Sequence, residues 1–78
     1  MTIQDRAERN VRLALRDAVE YCKDQYAVAY ARRALDNGMR GEELRGQVLY
    51  VLSNTNHWRG ELARNAKIVL REFSRWAQ

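Results

Sequence analysis

Residues 21–38 read YCKDQYAVAYARRALDNG, and the fold turns on whether one helix runs through them unbroken. Upstream, Ile3, Ala7, Val11, Ala14, Leu15, Ala18, Val19 and Cys22 recur at three- and four-residue spacing. That is one apolar face of an amphipathic helix. From Tyr26 onward the apolar set is Tyr26, Ala27, Tyr30, Ala31 and Ala34. At 100° per residue this second face is rotated by roughly a third of a turn from the first. Either the helix breaks near Lys23–Gln25, or one long helix meets different partners along its length. No Gly or Pro marks a break, so the reading taken is one long helix over 2–37, straight or kinked near 23–25. The small side chains of Ala27, Ala31 and Ala34 would let another helix approach closely.

The ends of this segment carry their own signals. Thr2 followed by Asp5 resembles a capping box with Asp in place of Glu. Arg6, Arg9, Arg12 and Arg16 lie away from the apolar face, and Asp5–Arg9 and Glu8–Arg12 form i,i+4 pairs with the acid first. Asn37-Gly38 predicts a C-terminal cap with glycine in the left-handed region. Met39, Arg40 and Gly41 make a short connection. Glu42 and Glu43 then suit the first turn of a helix over 42–53, whose buried row is Leu44, Val48, Val51 and Leu52. Gly46 lies inside that helix, either merely tolerated or packed closely against the alanine row. Ser53 to Asn56 is a loop of residues that compete with helix, with Thr55 or Asn56 as N-cap of a last helix over 57–76. One face of this helix carries Trp58, Leu62, Ala66, Val69, Leu70, Phe73 and Trp76. The expected fold is therefore all-α: a single small helical bundle over 1–78, one long or kinked N-terminal helix packed on two shorter ones.

Size and composition bound the function. A chain of 78 residues allows one domain with a small core. The formal net charge is +4 and the pI about 9.7, and twelve of the fourteen cations are Arg. Arg suits bidentate contacts to phosphate or carboxylate, so nucleic acid and an acidic protein are both admissible partners. Cys22 is the only cysteine, which excludes an intrachain disulfide and a Cys-rich metal site. With no signal-peptide pattern and no apolar run of membrane-spanning length, the expected setting is a reducing cytoplasm, with no membrane partner.

No catalytic constellation emerges, and neither a cofactor nor a metal is expected. His57 is the only histidine. A His57–Glu61 pair at i,i+4 reads as a surface hydrogen bond rather than an acid–base device. Arg64, Lys67, Arg71 and Arg75 fall in a narrow arc opposite the apolar face, with Ile68 near that arc. The stripe can be a solvated face, a docking surface for an acidic protein, or a phosphate-tracking row. Tyr26 and Tyr30, one turn apart, either fill the bundle edge or act as binding hot spots. Trp58 reads as a plug at the bundle end, Arg59 as a cover for apolar surface or a partner contact, and Gly60 as room for a crossing segment. The phase slip also leaves apolar surface on more than one side of the first helix. That predicts a homodimer contact near Tyr26, Ala27, Tyr30, Ala31 and Ala34.

The run LRGQVLYVLSNTNHWRGELARNAKIVLREF (44–73) carries a resemblance. Leu49, Leu52, Ser53, Asn54, Trp58, Arg59, Gly60, Ala63, Arg64, Lys67, Val69 and Leu70 resemble the C-terminal part of small helical proteins encoded by phages and prophages. In those, an Asn-containing turn is followed by Trp-Arg-Gly and a basic amphipathic helix. The resemblance implies a phage-type origin and brings no activity with it. By analogy, small phage proteins of this size are often inhibitors of host defence or host enzymes, anti-CRISPR proteins among them. The favoured expectation is thus a non-enzymatic inhibitor of a host protein, acting in the bacterial cytoplasm. The alternative is a basic helical nucleic-acid-binding or regulatory protein.

Overall fold

The structure, a computed structural model, describes residues 2–76. It is all-helical: α1 (Ile3–Tyr21), α2 (Gln25–Asp36), α3 (Gly41–Leu52) and α4 (Glu61–Trp76). α1 packs on α2 and α4, and α3 packs on the same two helices, which closes a four-membered ring around one core.

α1 starts with the expected box. Thr2 Oγ1 accepts the Asp5 amide at 3.1 Å, and Asp5 Oδ2 accepts the Thr2 amide at 3.3 Å. The long helix over 2–37 does not form. Cys22 (φ −79°, ψ 133°) and Asp24 (φ −75°, ψ 120°) are both extended. Asp24 Oδ1 accepts the amides of Tyr26 at 2.9 Å and Ala27 at 3.0 Å. A carboxylate that satisfies two orphan amides and faces the positive helix end stabilises a fresh start. The break therefore needs neither Gly nor Pro, and the phase slip is its trace in the sequence.

Each helix then aims its own row inward. The core joins Val11, Leu15 and Ala18 of α1 to Leu44, Val48 and Val51 of α3, and to Ala63, Ala66, Leu70 and Phe73 of α4. Ala27, Ala31 and Ala34 of α2 complete it. These alanines are buried within one chain, so they cannot form a contact with a second copy. The side chain of Trp76, expected on the same face as Phe73, lies outside the described residues.

α2 ends as predicted. Met39 N–H donates to Ala34 O at 3.1 Å and Gly38 N–H to Leu35 O at 3.2 Å, with Gly38 at φ 57°. This is a Schellman motif, and Met39 is buried just beyond it. Gly46 of α3 has nothing within 4 Å of a built Cβ, so close packing does not explain it.

The 53–60 connection departs from expectation. Ser53 Oγ donates to Leu49 O at 2.9 Å, Asn54 Nδ2 to Tyr50 O at 2.9 Å, and Thr55 Oγ1 to Leu52 O at 3.1 Å. Three consecutive polar side chains thus close the C-terminal end of α3, whose last carbonyls lack helical partners. None of them caps α4. That helix begins at Glu61 rather than at 57, and Gly60 O accepts its first bond, from the Arg64 amide at 2.9 Å. Gly60 sits at φ 110° with nothing within 4 Å of a built Cβ. Its glycine serves the backbone angle, not a crossing segment.

Candidate docking surface

Trp58 precedes α4 instead of lying in its first turn, yet it is only 8% exposed and belongs to the core. Its backbone holds the connection at both ends. The Trp58 amide donates to Thr55 O at 3.0 Å, and Lys67 Nζ donates to Trp58 O at 2.6 Å. Leu62, expected beside Trp58 on the packed face, is exposed.

That lysine contact divides the basic stripe. Lys67 is half-buried and committed to the loop, whereas Arg64, Arg71 and Arg75 are exposed. Arg45 of α3 is likewise committed, its Nε donating to Ser74 O at 2.8 Å. Among the described residues, no carboxylate lies within ion-pair distance of Arg64, Arg71 or Arg75. Ile68, in the middle of this row, is 44% exposed. The row extends about 16 Å along the helix from Arg64 to Arg75.

The tyrosines lie elsewhere. Tyr30 is half-buried and stacks on Tyr50 of α3, with ring centroids 4.9 Å apart and an interplanar angle of 26°. Tyr26 is exposed. The pair joins α2 to α3 at the bundle edge.

Arg59 and His57 are exposed in the connection and border an open cleft of about 720 Å³. Tyr21, Cys22, Lys23 and Glu61 also line it. His57 lies outside any helix, so the expected i,i+4 arrangement with Glu61 on one helix face does not arise. Among the described residues, no group of three or more His, Cys, Asp or Glu side chains could hold a metal ion.

Of one further cluster the sequence showed only the Glu8–Arg12 pair. Glu8 is fully buried. Its Oε2 accepts the Gly41 amide at 2.8 Å, and its Oε1 accepts Arg40 Nε at 3.1 Å. Arg12 lies 3.6 Å from Oε1, and Arg40 also reaches Asp5 Oδ1 at 2.7 Å. Burial pushes the Glu8 carboxyl up, but the Gly41 amide and the Arg40 guanidinium outweigh it and hold the group below its ordinary value. The Thr2 amide and hydroxyl, then Arg40, lower the Asp5 carboxyl. The Glu8 hydrogen bond is the main reason Arg40 is raised. Glu8 acts as an N-terminal cap for α3 supplied from α1, where a negative charge meets the helix dipole. The signal was available: positions 8, 11, 15, 18 and 22 form one row at 3,4,3,4 spacing, and a carboxylate occupies its first place.

The fold and surface thus define an all-helical four-helix bundle with a partly uncommitted arginine row on its last helix. Compared with protein-family models, curated proteins and solved structures, the chain matches none. No helix among the described residues is long and apolar enough to cross a membrane.

Proposed function

We propose that this chain is a non-enzymatic binding protein that docks on a partner protein through α4. The observation that carries the reading is the division of the basic stripe. Lys67 bonds Trp58 O and Arg45 bonds Ser74 O, while Arg64, Arg71 and Arg75 stand exposed along α4. Guanidinium groups without an internal partner are available to carboxylates outside the chain. The finer form of the proposal is a phage-encoded inhibitor of a host protein in the bacterial cytoplasm, of the host-defence or anti-CRISPR kind. It rests on the resemblance around Trp58-Arg59-Gly60.

Affinity capture from nuclease-treated bacterial lysate tests the function. The wild type is compared with a variant carrying Arg64→Glu, Arg71→Glu and Arg75→Glu. The expected result is a host protein retained by the wild type and lost by the folded variant, whose activity falls when purified wild type is added. Binding to DNA or RNA at 50 mM salt, with no protein retained, would replace this function by nucleic-acid binding.

A further inference from the structure

We propose that the outer face of α3 takes a second contact: a helix of a partner protein crosses it at Gly46, with a small residue at the crossing and a lysine or arginine one turn away. This contact goes beyond the arginine row of α4 and does not depend on it. Gly46 lies roughly 170° round α3 from the buried row of Leu44, Val48 and Val51, on the opposite side of the helix. Its neighbours at three and four residues are Glu42, Glu43, Leu49 and Tyr50, and all four are exposed. Leu49 is 39% exposed and Tyr50 53%. Tyr30 of α2 stacks on Tyr50 and fixes that wall in place. Between the four side chains the helix presents bare backbone, since nothing lies within 4 Å of a Cβ built on Gly46.

No contact inside the chain accounts for this arrangement. A glycine inside a helix destabilises it relative to alanine, and here no packed neighbour requires one. The solvent side of a bundle helix is ordinarily polar, yet Leu49 and Tyr50 stand on it. A glycine framed by exposed side chains is a hole that the ridge of another helix can enter, which brings the two backbones close. The dipole of α3 explains acids in its first turn, and their charge then sets the sign of the partner. Arg40 is turned to Glu8 and Asp5, and Arg45 to Ser74 O. Among the described residues, no cation lies within ion-pair distance of Glu42 or Glu43. A phosphate backbone or an anionic lipid surface would be repelled at this point. A cationic protein helix with an apolar residue on the far side of the crossing satisfies both the carboxylates and the Leu49–Tyr50 pair.

The test uses three fluorescent helical peptides of about sixteen residues. The first has alanine at its centre, leucine one turn to one side and lysine one turn to the other. The second replaces the lysine by glutamate, and the third replaces the central alanine by phenylalanine. Anisotropy is read at about 50 mM salt, where surface charges are weakly screened, and amide chemical shifts locate the site. The first peptide is expected to bind at α3, and the other two roughly fivefold more weakly or worse. Glu42→Gln with Glu43→Gln should weaken the first peptide about fivefold, as two exposed ion pairs imply. Gly46→Leu should abolish its binding. Gly46→Ala is the second variant and should melt higher than the wild type while binding the first peptide less tightly, a split that a merely structural glycine would not give. Circular dichroism checks each fold. Equal binding of the three peptides, no binding up to millimolar peptide, or binding unchanged by Gly46→Leu overturns the inference. The variant carrying Arg64→Glu, Arg71→Glu and Arg75→Glu should bind the first peptide at least as well as the wild type. Loss of the peptide there would move the contact to α4 and overturn the inference, while leaving the docking function intact.

Discussion

Glu8 of α1 accepts the amide of Gly41, 33 positions away, at 2.8 Å. No other described residue places a fully buried carboxylate at the start of a helix that is not its own. Glu8→Ala removes the cap of α3 and leaves the Gly41 amide and the Arg40 head without their main partner. The expected loss is about 3 kcal/mol, a fall in Tm of roughly 15 °C for a chain of this size. A midpoint within 2 °C of wild type in a thermal melt would refute the cap.

Acid should act through the same group. The Glu8 and Asp5 carboxyls are held below their ordinary values of 4.5 and 3.8. The unfolded chain therefore takes up protons first as pH falls, and the folded state loses its advantage. Their stabilising contribution is complete above about pH 5 and fades as pH drops through the lowered folded values. Urea unfolding between pH 7 and pH 2.5 should show this decline, and Glu8→Gln should flatten it. An equally steep decline in the variant would assign the acid sensitivity to other groups.

Trp58 and Lys67 can be separated by mutation. Trp58→Ala opens a hole in the core and should cost about 3 kcal/mol or more. Lys67→Met keeps the side-chain stem and loses only the bond to Trp58 O, so its cost should be nearer 1–2 kcal/mol. If Trp58→Ala leaves the thermal midpoint unchanged and abolishes partner capture, Trp58 is a contact residue and the plug is disproved.

Two glycines should respond in opposite directions. At Gly46 a methyl group meets nothing within 4 Å inside a regular helix, so Gly46→Ala should stabilise by about 0.5–1 kcal/mol. At Gly60 the φ of 110° disfavours any side chain, and Gly60→Ala should destabilise. Chemical denaturation of both variants checks the pair, and the same sign for both would contradict the backbone argument.

Self-association has a direct check. The apolar phase slip is now accounted for within one chain by the break at Cys22–Asp24. A dimer through α2 would have to use Tyr26 and Tyr30 without the alanines. Sedimentation at micromolar concentration is expected to show a 9.2 kDa species; a stable dimer that dissociates on Tyr26→Ser would restore the second copy.

Local chemistry was legible where it is self-contained. Thr2 with Asp5, and Asn37 with Gly38, each specify a cap within four residues, and both caps are present. Inward rows such as Leu44, Val48 and Val51 follow from helical period alone. What periodicity could not reach was the purpose of polar side chains. Asp24 can sit mid-helix on the surface or begin a helix, and here it begins one by accepting the Tyr26 and Ala27 amides. Ser53 to Asn56 read as a loop with Thr55 or Asn56 starting the next helix, yet Ser53, Asn54 and Thr55 complete the helix behind them. Arg64, Arg71 and Arg75 are exposed as their arc implied. Lys67 differs because its partner is a loop carbonyl whose path no helical pattern encodes.

The long reach of Glu8 also bears on time. α3 can gain its charged cap only after α1 and the 37–41 turn have met and shed their water. Such a late contact contributes little to the barrier for assembly and much to the barrier for coming apart. In stopped-flow chevrons, Glu8→Ala should steepen the rate of unfolding while leaving refolding nearly as fast as in the wild type. The clamp would then set how long the fold lasts more than how quickly it forms.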